Sequence, residues 1–529
     1  MAMYLFASRI SAAVCARTAP PSPTHAAATW PDGGTGPGPG PGPSGRPVCL
    51  LQPRKAKSQK KVVLAVTTTE ELTMEKEPCI DKPGCINLPP PYHETEVPPP
   101  LVHDEGHLVS GTLEALGQLL VPTTDSYPDR GFMFAFLLTS RLFIRPHELL
   151  EQVLAACHAQ QSTCDKPSTA KERLERLMPP MVRLLEEWTD MFPYDFRDDR
   201  MTAAVRGITQ GCDCVPQVCD DVSRLLQTLL ERLERLERFE DQLANLELES
   251  TTNERSQLPA TDVAGVCGTA SVLAQQLTGL ELERMSYIGP EEFILAFMRD
   301  VSHPLHQGKD VKKTNNLESY VAWSCHLSQL VATEICKQAA KKQRVKITEF
   351  WIEAAKECFN IGNFNSLAAI LAGLNMAPVS RLTKTWTKAG SERLTVLRQA
   401  MDSAADYDNY RATLKAAVWR AAGSSSSQNI VIPLFALFVK DLYGLADPCS
   451  NKLPGDHINM EAVWLLAKSL TDFISWQQTV CPFTRCAKAV AYLQASPVLS
   501  DKALMLASFD CESPETSLEK ERYITLKLV

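Results

Sequence analysis

The chain has 529 residues, 44% apolar and 22% charged, enough for a large core and about two or three domains. A formal net charge of −8 at pH 7 argues against a general nucleic-acid binder, which would carry a basic excess. No apolar run approaches the roughly 20 residues that a membrane-spanning helix needs. The longest, residues 430–439, contains Pro433 and stops at Lys440.

Seventeen cysteines, an odd number, are scattered and mostly sit inside helical patterns, as at Cys325, Cys336 and Cys358. That usage predicts reduced thiols in a cytoplasmic protein rather than a disulfide framework. Cys212, Cys214 and Cys219 cluster but form no CxxC pair and have no nearby histidine, so no metal site or cofactor is expected.

Half of the 36 prolines fall in the first 100 residues, with a Gly-Pro repeat from Gly36 to Pro43. Residues 1–104 are therefore expected to form a disordered tail, since they cannot bury enough apolar surface to offset ordering entropy. Within it, Arg54, Lys55, Lys57, Lys60 and Lys61 form a basic run suited to an anionic membrane surface. Pro89-Pro90-Pro91-Tyr92 fits a WW-domain ligand in polyproline II form.

From Leu113 the pattern turns helical. Leu113, Leu116, Leu119 and Leu120 share a face, and Met181, Leu184, Leu185 and Trp188 make another stripe. Pro146 and Glu148 suit the first turn of a helix. From Val222 to Leu246 leucines repeat in heptad-like register until Glu240 interrupts them, which predicts a helix packed on its own domain rather than a coiled coil. Residues 105–240 make a first helical domain, and residues 241–266 read as a linker.

Residues 267–515 make the second domain. Pro290 with Glu291 and Glu292 starts a helix carrying Phe293, Ile294, Phe297 and Met298. Ile347, Phe350, Trp351, Ala354, Ala355, Cys358 and Phe359 form an unbroken apolar stripe, repeated downstream by Leu367, Ile370, Leu371 and Leu374. Between them lies Asn360-Ile361-Gly362-Asn363-Phe364-Asn365, an amide-rich corner of poor helix formers. No nucleophile–base pair, HExxH or GxSxG is present. Residues 516–529 are expected to be a C-terminal tail.

Asn363-Phe364-Asn365-Ser366-Leu367, followed by Arg381-Leu382 and Thr385-Trp386, resembles the central motif of the Sos-type Ras guanine-nucleotide exchange factor (RasGEF) catalytic domain. Four further blocks resemble the same family in the same order. They are Gln275-Gln276-Leu277-Thr278 with Glu281 and Ile288 to Phe293, Thr314 to Leu317, Tyr407 to Arg411, and Ile432 to Tyr443 with Ile458-Asn459-Met460. Gly111 to Leu116, Phe136 to Phe143 and Pro146 to Leu150 resemble the family's N-terminal module.

The resemblance implies an all-α protein of two helical domains, acting as an exchange factor for a Ras-subfamily GTPase, Ras or Rap. Such a protein prises a nucleotide site open and makes no covalent bond. Tyr443 and Asp447 fall where the family puts an apolar residue and a carboxylate into the metal and phosphate site. Asn375, Tyr407, Leu434 and Asn316 match contact positions for the GTPase. Asp406 and Ser380 align with contact positions but differ in residue type. Asn363, Asn365, Arg381, Tyr410 and Arg411 are read as structural support. The family's Glu-Gly pair is replaced here by Asp447-Pro448; Asp is one methylene shorter, and a residue before proline is pushed out of helical geometry. A binding module that engages the GTPase without releasing nucleotide is the competing reading.

Overall fold

The computed structural model describes residues 99–123, 126–162, 170–211, 216–253, 259, 261–300, 315–390, 392–423 and 430–528, all within one compact unit. The proline-rich tail to residue 98, with its basic run and Pro89–Tyr92, lies outside these residues. The described chain is mostly helical, as expected, and none of its helices is long and apolar enough to cross a membrane.

The first element departs from the expectation. Leu101–Asp104 and His107–Gly111 form an antiparallel hairpin across Glu105 and Gly106, both with positive φ, the conformation tight hairpin turns require. The tail therefore ends before Leu101 rather than at residue 104. Ile458–Asn459 adds a third strand on His107–Gly111, so the sheet joins the first described segment to the second domain.

Local signals account for the helices that follow. Asp129 caps Arg130–Ser140 by accepting from the Phe132 amide at 2.9 Å. Pro146–Ser162 starts at its proline, and Glu148 accepts from the Arg145 amide at 3.1 Å. The long helix Pro216–Asn253 packs back on Ala170–Met191, as predicted. It runs to Asn253, past the expected Leu246; Phe239 stacks on Tyr287 at 3.6 Å and Leu243 is buried. The linker shortens accordingly.

The two predicted domains share one core. Phe136, Trp188 and Phe196 from the first belong to the same buried cluster as Phe293, Phe435 and Phe473 from the second. A second cluster, built on Leu277, Trp351, Leu367 and Tyr410, lies within the second domain. At the seam, Arg141 grips both oxygens of Asp195 at 2.8 and 3.3 Å, and Trp188 donates to the same carboxylate at 2.9 Å.

Glu291 sits near this pair, 3% exposed, and neither of its carboxyl oxygens has a hydrogen-bond partner among the described residues. Burial raises its pKa to about 8, against the opposing pull of Arg141. A carboxyl that ionises near 4.5 when unfolded but stays protonated to about 8 when folded makes the native state bind the extra proton. Its contribution is complete below the unfolded value and is lost as pH rises toward 8, about 2 kcal/mol between about pH 6 and 7.5. Glu291→Gln is expected to remove that slope from the variant, so that the stability difference between variant and wild type changes by about 2 kcal/mol between about pH 6 and 7.5. Urea midpoints whose pH dependence is identical in the two proteins would refute the assignment.

The C-terminal segment is no tail. Ser517–Leu528 is a helix; Tyr523 packs against Phe509 at 5.2 Å, and Glu519 accepts from Arg381 at 2.9 Å.

Candidate functional site

The amide-rich corner is the structural pivot. Helix Lys341–Ile361 ends at Gly362, with φ +96°, where the Gly362 amide donates to Phe359 and the Asn363 amide donates to Cys358, a Schellman closure. A Cβ at 362 would meet the Ile430 carbonyl at 2.3 Å, so this position needs glycine for both conformation and close approach. Residues on either side then pair with Ile432: Phe364 N–H donates to its carbonyl at 2.9 Å, and Ile432 N–H donates to Gly362 at 2.9 Å.

Asn363, fully buried, caps the next helix Phe364–Asn375 by accepting from the Ser366 amide at 3.0 Å. Its Nδ2 donates to Thr278 at 3.1 Å. Asn365 donates to Glu281 at 3.0 Å and Ser324 at 3.0 Å, while its Oδ1 accepts from the Phe435 amide at 3.3 Å. Tyr410 lends its hydroxyl oxygen to the Leu434 amide at 2.6 Å. Helix Phe435–Ser450 has no side-chain cap of its own. Asn365 and Tyr410 supply acceptors for two of the amides that its start leaves open. Two of the residues read as support, Asn365 and Tyr410, thus hold the N-terminus of the helix bearing Tyr443 and Asp447.

Glu281 is the hub beneath this corner and was not singled out from sequence. It is fully buried and accepts from Ser366 Oγ at 2.8 Å, Trp323 Nε1 at 3.3 Å and Asn365. Burial raises its pKa, and the hydrogen bonds it accepts oppose the shift. Only its place in a motif block pointed to it. Four phenylalanines, Phe293, Phe435, Phe438 and Phe473, then pack ring on ring under the helix.

At the far end, Tyr443 is half-buried, its ring edge-on to Phe297 at 5.0 Å, and Asp447 is exposed. Four residues apart on a continuous helix, they share a face. Pro448 does not end the helix, contrary to expectation: Phe435–Ser450 runs through it. Pro448 lacks the amide that would meet the Gly444 carbonyl. Side chains bond the carbonyls that follow, with Cys449 Sγ donating to Leu445 at 3.3 Å, Ser450 Oγ to Ala446 at 3.2 Å and Asn451 Nδ2 to Asp447 at 3.1 Å. Asp447 is therefore held in helical register.

The four residues read as GTPase contacts divide. Asn375 ends its helix exposed and accepts from Arg398. Tyr407 is half-buried in the turn 404–407, where Ala405, Asp406 and Tyr407 all have positive φ. Leu434 and Asn316 are corrections. Leu434 is 2% exposed because it joins the second core cluster. Asn316 is 3% exposed because its amide is spent on the seam, donating to Tyr194 at 2.7 Å, the Tyr287 carbonyl at 2.9 Å and Glu292 at 3.3 Å. Neither offers a side chain to a partner.

Arg381 and Arg411 are bracing residues. Arg381 donates to the Ser508 and Glu512 carbonyls at 3.0 and 2.8 Å, satisfying the end of helix Asp501–Cys511. Arg411 binds both oxygens of Asp441 at 2.8 and 3.0 Å, the main reason its pKa is raised.

Residues 272–464 match the RasGEF domain family and residues 107–207 match the RasGEF N-terminal motif. Ras-GEF domain-containing family member 1B of Homo sapiens is 44% identical over 439 residues, covering 81% of this chain and 92% of that protein. Family member 1B-A of Danio rerio is 44% identical over 441 residues, 81% and 85% of the two chains. Family member 1C of Homo sapiens is 43% identical over 460 residues, 84% and 96%. With both modules matched and relatives aligned over nearly their whole length, the chain belongs to the RasGEF-domain family of guanine-nucleotide exchange factors.

Proposed function

We propose that this protein promotes GDP release from a Ras-subfamily GTPase, Ras or Rap, using Tyr443 and Asp447 as a wedge. The observation that carries the reading is the wedge helix itself. Its start is bonded into the core by Asn365 and Tyr410, while its far end presents an aromatic edge and a free carboxylate on one face. Asn375 and Tyr407 supply side chains for docking on the partner's switch region.

The energetics set what the wedge must achieve. A nucleotide held near 1 pM is bound by about 16 kcal/mol. Speeding its release about 10⁵-fold takes roughly 7 kcal/mol off the barrier. That reduction comes from weakening the contacts of Mg²⁺ and the phosphates, which an apolar ring in the metal site and a carboxylate against the phosphate loop both do. Coupling is reciprocal, so incoming nucleotide weakens the complex and completes the cycle. No covalent chemistry is needed. The reading puts the chain in the cytoplasm, meeting a lipid-anchored partner at the membrane.

A binding module without exchange activity is the second reading, favoured by the short Asp447 side chain. Release of a fluorescent GDP analogue from a panel of Ras and Rap proteins separates the two. Acceleration of one or more is the expected result; stable binding with release unchanged would transfer support to the second reading.

A further inference from the structure

The turn bearing Tyr407 and the wedge helix are tied together by a four-charge cluster. Asp406 accepts from Lys440 Nζ at 2.7 Å and from Arg411 Nη2 at 3.0 Å. Arg411 also donates through Nε to the Asp406 carbonyl at 2.9 Å and reaches both oxygens of Asp441. Lys440 and Asp441 lie on the helix that carries Tyr443 and Asp447, and Asp406 immediately precedes Tyr407.

The backbone shows why such a tie is needed. Ala405, Asp406 and Tyr407 have φ of 49°, 54° and 64°, a left-handed run without a glycine. Non-glycine residues persist in that region only where their surroundings over-determine them. Here the middle residue is gripped at both its carboxylate and its carbonyl. Each ion pair is partly exposed, and isolated pairs of that kind contribute little. The bidentate Arg411–Asp441 contact, with Asp406 shared between Arg411 and Lys440, makes a network instead.

On the exchange-factor reading above, we propose that Asp406 is a positioning residue: it couples the turn presenting Tyr407 to the helix presenting Tyr443 and Asp447. Docking on Tyr407 then sets where the wedge stands. Asp406 aligns with a contact position of the family, yet both its oxygens are engaged by cations of its own chain.

The full chain tests this with Asp406→Asn, which keeps the side chain's size and removes its charge. The maximal rate of stimulated GDP release, at saturating GTPase, is expected to fall about tenfold with KM changed less than about twofold. Lys440→Gln is expected to lower the same parameter less, and the double variant to be no worse than Asp406→Asn alone. A raised KM with unchanged maximal rate would make Asp406 a direct contact and overturn the proposal. Unchanged kinetics, or strictly additive losses, would overturn it too. Amide hydrogen exchange keeps the test separate from the exchange-factor reading. If wild type releases GDP from no GTPase in the panel, that reading fails. The coupling then stands only if Asp406→Asn speeds amide exchange in both the turn 404–407 and residues 435–447. Loosening of the turn alone overturns it.

Discussion

Replacing Tyr443 and Asp447 together by alanine is expected to slow stimulated GDP release by about 100-fold, roughly 3 kcal/mol on the barrier, with folding intact. Folding survives because the two side chains contribute little to the core. Asp447 is exposed, and Tyr443 is half-buried with its ring on Phe297 at the edge of the cluster. The helix start, where stability is vested, is untouched: Leu434 and Phe435 keep their bonds to Tyr410 and Asn365.

The single variants distinguish the two roles. Tyr443→Ala removes the apolar ring, and Asp447→Ala removes the negative charge that, on the proposed reading, competes with phosphate. Losses that are sub-additive in the double variant indicate that the pair acts as a unit. Binding to nucleotide-free GTPase is expected to weaken much less than release, since Asn375 and Tyr407 remain. Release at the wild-type rate, with an unchanged melting curve, would show that the wedge lies elsewhere on the chain.

Much of the fold was legible because it is written in local signals. The stripes of Lys341–Ile361 and Phe364–Asn375, the corner between them and the start at Pro146 each depend on residues within one or two turns. The three strands were not legible, since segments of four, five and two residues are too short to show alternation. Only the Glu105-Gly106 turn hinted at a hairpin.

The sequence names the residues of the motif blocks but not how deeply each is buried. Leu434 and Asn316 sit in matching motif blocks, and nothing in a motif says which members face solvent. Their burial is decided by partners far off in sequence, Tyr410 for one and Tyr194 for the other. Pro448 misled for a related reason: its penalty is local, but the side chains of Cys449, Ser450 and Asn451 bond the carbonyls nearby. The seam between the two domains likewise depends on contacts such as Phe239 with Tyr287, which no single segment reveals.

Glu281→Ala is expected to cost about 3–5 kcal/mol of stability, the other large effect in this chain. The carboxyl is fully buried and gathers donors from four side chains: Tyr320, Ser366, Trp323 and Asn365. Alanine removes every acceptor at once, taking from Ser366 Oγ and Trp323 Nε1 the carboxylate they donate to in a space that water does not reach, while Asn365 keeps only Ser324 and Tyr320. Glu281→Gln keeps one carbonyl oxygen and the volume, and is expected to lose about half as much. The consequence extends to function by a traceable route. Asn365 is oriented by Glu281 on its Nδ2 side and holds the Phe435 amide on its Oδ1 side. Loosening it frees the start of the wedge helix, so at a temperature where the variant is still folded the maximal exchange rate is expected to fall while Asn375 and Tyr407, the proposed docking residues, are unaltered. Chemical denaturation gives the stability, and GDP release at saturating GTPase gives the rate. A Glu281→Ala protein within about 1 kcal/mol of wild type would mean that the buried acceptor is dispensable and that the corner is held by packing alone.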